Sequence, residues 1–123
     1  MPASYRIEVL SKYIFVTLEG LVTDQDLIEG QRKMFHDPLF EGNYPRFVDG
    51  TRVTKLLVTA DVVRSIATNA TGRGLRKVAL VANSDFIYAM MRMYDGYASA
   101  NEAECFVSHD AAEALQWLLN PTP

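Results

Sequence analysis

Cysteine is almost missing from this 123-residue chain. The one thiol, Cys105, excludes an internal disulfide and fits a reducing compartment. Long apolar runs are missing too: none approaches the ~20 residues that span a bilayer, so no transmembrane segment is expected. The start, Met1-Pro2-Ala3-Ser4-Tyr5-Arg6, carries no apolar core behind a basic stretch, which argues against export and for a cytoplasmic protein. Histidine is scarce, and His36 and His109 stand far apart with no His/Cys cluster at ligand spacing; neither a metal nor another cofactor is expected. The glycines of Gly72-Arg73-Gly74 have neither the further glycines of a dinucleotide fingerprint nor the Lys-Ser/Thr pair of a phosphate loop. A Gly-x-Ser-x-Gly elbow is absent, and no nucleophile–base pair is recognisable, so the chain reads as a non-enzyme.

What is present is the composition of one soluble domain, residues 1–123, with 49% hydrophobic and 22% charged side chains. The net charge of -3 is unevenly spread. Residues 51–77 hold Arg52, Lys55, Arg64, Arg73, Arg76 and Lys77 against Asp61 alone, and the stretches on both sides are acidic. Such a block suits either an anionic ligand or plain solvation of loops and helix ends. Nucleic acid is not an expected partner, because the total charge is negative and aromatics do not interleave with the basic block.

Hydrophobic periodicity gives the order β-β-α-β-α-β-α-β-α, an α/β layered domain with a mixed, mostly parallel sheet of four to five strands and about four helices. Tyr5–Leu10 and Tyr13–Leu18 alternate and read as a hairpin around Ser11-Lys12, the second strand ending at Glu19-Gly20. Thr23-Asp24-Gln25-Asp26 has the form of a capping box for a helix to about Phe35, closed by His36-Asp37-Pro38. Arg46-Phe47-Val48-Asp49 reads as a short buried strand and Gly50 to Val58 as a loop. Thr59 is the expected cap of a helix over residues 60–71, with Gly72 as its left-handed stop. Lys77–Ala82, an unbroken Val/Ala/Leu run, suits a central strand covered on both faces. A helix from Ser84 to about Ala100, a strand at Cys105–Val107 and a last helix opening at Asp110 and stopping before Pro121 complete the chain.

Two features point to function. Asp49 is expected at the carboxyl end of a strand, where open α/β sheets bind ligands, with Thr51, Arg52, Thr54, Lys55 and Thr59 nearby offering hydroxyls and positive charge. The alternative is that Asp49 accepts hydrogen bonds from its own loop as an Asx-type turn. The second feature is the helix from Ser84, whose apolar residues form two stripes. Phe86, Met90, Met93 and Tyr97 make one; Ile87, Met91, Tyr94 and Ala98 make the other. Together they cover an arc of roughly 160°, wider than the ~100° that packing on a sheet requires. The second stripe is therefore expected to meet another subunit, a covering loop or an apolar ligand.

The runs Lys77–Ala82, Tyr88-Ala89-Met90-Met91-Arg92-Met93-Tyr94 and Ala112-Glu113-Ala114-Leu115-Gln116-Trp117-Leu118, with the Leu18-Glu19-Gly20 turn and a strand ending in Asp49, resemble the SpoIIAA-like proteins of the STAS domain superfamily (sulphate transporter and anti-sigma-factor antagonist). The resemblance implies helices mainly on one side of the sheet, a small bacterial cytoplasmic protein and a homodimer. Taken with the residues above, the expected role is binding or regulation without catalysis, toward a protein partner or a small amphipathic or anionic ligand. Antagonists of that family carry a phosphorylated serine in an Asp-Ser-Ser-Gly type motif; Leu57-Val58-Thr59-Ala60 stands at the matching place and has no such serine. Some relatives hold lipids or other apolar ligands between helices and sheet, which the wide Met/Tyr arc would allow.

Overall fold

Residues 2–120 are described by the structure, a computed structural model; Met1 and the Pro121 expected to follow the last helix lie outside the described residues. The elements run β1 (Ala3–Glu8), β2 (Tyr13–Thr23), α1 (Asp24–Phe35), β3 (Arg46–Leu57), α2 (Ala60–Gly72), β4 (Lys77–Ala82), α3 (Asp85–Ser99), β5 (Glu104–Ser108) and α4 (Ala111–Leu119). The strands lie in one sheet in chain order, β1 antiparallel to β2 and every later pair parallel. The expected element order and the mixed, mostly parallel sheet are both found.

The local signals act where the sequence placed them. Thr23 and Asp26 form both arms of a capping box at the start of α1. Thr59, Ser84 and Asp110 cap α2, α3 and α4 by accepting from the amides of Val62, Ile87 and Glu113. Three boundaries differ from expectation. β1 stops at Glu8, and the turn through Lys12 (φ 58°) leaves Leu10 fully in solvent. Gly20 does not end β2: at φ 68° it sits in a stretch where the register with β3 shifts, and the strand continues to Thr23. The left-handed residue after α2 is Gly74 (φ 104°), not Gly72, which is still helical.

The largest correction concerns β3. Its pairing with β4 ends at Gly50↔Ala82, but its pairing with β2 runs on from Glu19↔Arg52 to Thr23↔Leu57. Gly50 to Leu57 is thus strand, a two-stranded parallel ribbon projecting past the rest of the sheet. Its polar side chains resemble those of a loop because most of the ribbon faces solvent; only Gly50 and Val53 within it are buried.

Strand alternation divides the core. Arg46, Val48, Val78 and Leu80 share the face covered by α1, α2 and α3, where Val22, Val53, Ala70, Leu75, Ile87 and Met91 join them. Phe47, Ala79 and Val81 point the other way, to Ala114 and Leu118 of α4. On that face Phe15 stacks on Phe47 at 5.0 Å and Phe106 on Trp117 at 5.3 Å.

Candidate functional site

The residues expected to surround Asp49 are strung along an extended strand. Thr51 answers the Asp49 carboxylate twice, through its backbone N–H at 2.9 Å and its hydroxyl at 2.6 Å. The Asx-type alternative therefore describes its hydrogen bonding. Arg52, Thr54 and Lys55 are exposed on the ribbon. At about 3.3 Å per residue, Asp49 and Lys55 are roughly 20 Å apart, too far to share one small ligand. Thr59 accepts from the Val62 amide and also ties α2 to α1, its backbone N–H and hydroxyl donating to Asp24 at 2.8 and 3.0 Å.

The second stripe of α3 is the one that faces the sheet. Ile87 (7% exposed), Met91 (6%) and Ala98 (0%) are buried within this chain, and Tyr94 is partly buried among them, which corrects the expectation that this stripe meets a partner. Periodicity gives the width of the apolar arc but not its direction. The surplus is absorbed sideways, where Ala98 packs with Ala67 of α2 and Ala103, with Tyr94 and Tyr97 against them. The fit is close there: a Cβ on Gly50 would stand 2.8 Å from the backbone oxygen of Val81 and 2.7 Å from the flexible end of Met91. Of the other stripe only Phe86, 57% exposed, lies fully outward; Met90 lines the space under the helices and Tyr97 joins the alanine cluster.

Beneath α1, α2 and α3 the packing leaves a cavity of about 160 Å³. Its wall is almost wholly aliphatic, with Leu18, Leu27, Val48, Val63, Leu80 and Met91 among its lining, and no Asp or Glu lines it. Gln31, also in the wall, spends its amide on the Ile66 carbonyl at 3.0 Å, linking α1 to α2. Tyr5 donates to Asp37 at 2.8 Å, which draws the turn after α1 onto β1 beside a wider, more open depression of about 360 Å³ sharing Ala3, Ser4, Tyr5 and Gly30 with the cavity.

Arg46 is the exception in this wall. It is 3% exposed, and among the described residues neither Nε nor Nη2 has a hydrogen-bond partner. The guanidinium lies 5.7 Å from the Phe35 ring and 5.5 Å from the Phe40 ring. Those rings favour a cation but accept no N–H bond as an oxygen would. Burial lowers the Arg46 pKa to about 10, still well above neutral pH, so the side chain stays charged. Tyr94 lines the same cavity; burial raises its phenol to about 12, so it remains a neutral O–H. The sequence reading did not single out Arg46, although its strand parity with Val48 placed it on an inward face.

The other candidates resolve individually. Burial first, then neighbouring Asp95, pushes the Cys105 thiol up to about 12, away from thiolate chemistry. His36 Nδ1 donates to the Arg32 carbonyl at 2.8 Å; His109 Nδ1 donates to Ala82 at 2.9 Å and its ring stacks on Tyr88. The basic block disperses: Arg64 pairs with Asp61, Arg76 donates to the Thr71 and Leu75 carbonyls, Lys77 reaches Asn120, and Arg73 lies over Phe35.

The solved structure of an uncharacterised protein of the DUF3478 family from Shewanella loihica PV-4, described as having a SpoIIAA-like fold, matches this chain with a TM-score of 0.61. The match covers 86% of this chain and 83% of that one at 18% identity. No family model and no curated protein matches the sequence. The likeness shows the fold and only the fold, a SpoIIAA-like α/β sheet, in agreement with the resemblance read from the residues.

Proposed function

Proceeding from that SpoIIAA-like fold, we propose that the protein is a non-enzymatic binding domain whose helix–sheet cavity holds a small amphipathic molecule. The observation that carries this reading is the pairing of an aliphatic cavity with one buried guanidinium whose donors are unspent. Ligand pockets have this character: mostly apolar walls with a few placed polar groups that set orientation. A buried charge without a partner costs free energy that a ligand supplying the partner would recover. The wall offers a cation, the phenols of Tyr5 and Tyr94 and the Ser4 hydroxyl but, among the described residues, no carboxylate or imidazole for proton transfer, which favours holding a molecule over transforming it.

The residues first suspected around Asp49 take no part in this reading; the cavity lies under the three helices. The absence of a phosphorylatable serine at Leu57–Ala60 weighs against a kinase-switched role and leaves binding as the simpler one. Thermal unfolding with saturating toluene tests the cavity directly. A rise in Tm that Val48→Phe abolishes supports a ligand-sized, accessible space; no shift with toluene or any other neutral apolar probe of that size removes the proposal.

A further inference from the structure

Resting on that reading, we infer that the ligand is a small monocarboxylate, held side-on by the Nε–H and Nη2–H groups of Arg46, with an apolar body about the size of a benzene ring. Three observations argue for it. First, the two unsatisfied donors are Nε and Nη2, the adjacent pair whose N–H bonds run parallel along one edge of the guanidinium. That edge matches the two oxygens of one carboxylate, which would satisfy both donors at once. A lone hydroxyl, ester or amide oxygen would have to take both N–H bonds at bent angles and brings no negative charge.

Second, charge limits the class. The wall contains one buried cation and no acid, so one negative charge neutralises it. A phosphate monoester, carrying close to two charges at neutral pH, would leave an uncompensated negative charge against an aliphatic wall. A neutral molecule would leave the guanidinium as it is.

Third, size limits the body. The cavity measures about 160 Å³. A protein cavity of roughly 150 Å³ lined by Leu, Ile and Phe takes up benzene. An aryl or short branched alkyl group is therefore accommodated, whereas a long acyl chain would have to run out through the open side past Ala3, Ser4, Tyr5 and Gly30. Phe35 and Phe40 lie within 5.7 Å of the guanidinium and limit its freedom, which lowers the ordering cost of binding.

Isothermal titration of the full chain with phenylacetate, phenylacetamide, phenyl phosphate, toluene and hexadecanoate tests the inference. Phenylacetate is expected to bind at least tenfold more tightly than phenylacetamide and phenyl phosphate, and more tightly than hexadecanoate. In Arg46→Met, toluene binding persists while the preference for phenylacetate over its amide disappears. Equal affinity for acid and amide, or a preference that survives in Arg46→Met, overturns the carboxylate assignment but leaves the binding reading standing. Tighter phenyl phosphate overturns the single-charge argument, and tighter hexadecanoate the size argument. Should none of the five probes bind, toluene included, both the inference and the binding reading fall. If Arg46→Met does not fold, Arg46→Lys serves: it keeps the charge, loses the fork, and is expected to narrow the acid-over-amide ratio.

Discussion

The two faces of the sheet are built from the same strands yet packed by different rules. On the α4 side a single nine-residue helix lies against Phe47, Ala79 and Val81, and aromatic pairs close the space around it. Charged groups there sit at the margin, with Lys77 Nζ 4.8 Å from the Trp117 ring and the Arg6 guanidinium 4.1 Å from Phe15. On the opposite side three helices meet, linked by Gln31 to Ile66 and Thr59 to Asp24, and still leave about 160 Å³ and a cation whose Nε and Nη2 have no hydrogen-bond acceptor among the described residues. More cover has given looser filling, because helices that must pack on each other as well as on the sheet cannot all reach the strands. One face is filled by interlocking side chains, and the other keeps an apolar space beside Arg46.

Substitutions can break or sharpen this contrast. The largest effect is expected on the filled face, where Phe47→Ala removes a ring that is 2% exposed and stacked on Phe15. It should cost about 3–5 kcal/mol in denaturant unfolding. The next falls on the cavity face and has the opposite sign: Arg46→Met removes an unpaired buried charge and should raise the stability of the ligand-free protein by about 1–3 kcal/mol. A loss of stability there would mean that the guanidinium is better satisfied than its surroundings suggest.

A matched pair tests packing alone. Val81→Ile adds one methylene among Phe47, Ala79 and Leu118 and should destabilise by about 1–2 kcal/mol. Val48→Ile adds the same group into the cavity wall and should stabilise by about 0.8 kcal/mol while weakening phenylacetate binding. Equal signs for the two would erase the distinction between the faces. The smallest effect concerns Tyr94. Its phenol, raised from 10.0 to about 12 by burial, stays protonated in the folded chain after it has ionised in the unfolded one. Its contribution is therefore complete below pH 10 and lost as pH rises from 10 to 12. Urea titrations of wild type and Tyr94→Phe should show the wild type losing more stability across that window.

The legibility of the chain followed the range of the interactions concerned. Caps at Thr23, Thr59, Ser84 and Asp110 act within one helical turn, and all four could be read from neighbouring residues. The central strand Lys77–Ala82 was legible because burial on both faces leaves an unbroken apolar run. Gly50 to Leu57 was misread as loop because a solvent-facing ribbon on one partner strand tolerates the Thr, Arg and Lys that mark loops elsewhere. The site around Asp49 went with it, since a carboxyl-end cluster requires the strand to stop. The orientation of α3 was beyond reach for another reason: two stripes of equal apolarity differ only in what they meet, and Gly50 beneath Met91 is thirty-seven positions or more away from every residue of that helix's second turn onward.

By itself, the sequence determined the order of elements and the mixed sheet, because these rest on periodicity, capping and turn chemistry encoded within a few residues; the SpoIIAA-like fold was carried by the resemblance of whole runs and agrees with the structural match. Tertiary structure alone decided which stripe of α3 is buried, how far β2 and β3 run on together, and that three helices enclose an aliphatic space beside Arg46. Those features depend on distances between segments remote in the chain. An arginine at the start of a strand becomes a buried cation in need of an acceptor only when Phe35, Phe40 and the helices close over it.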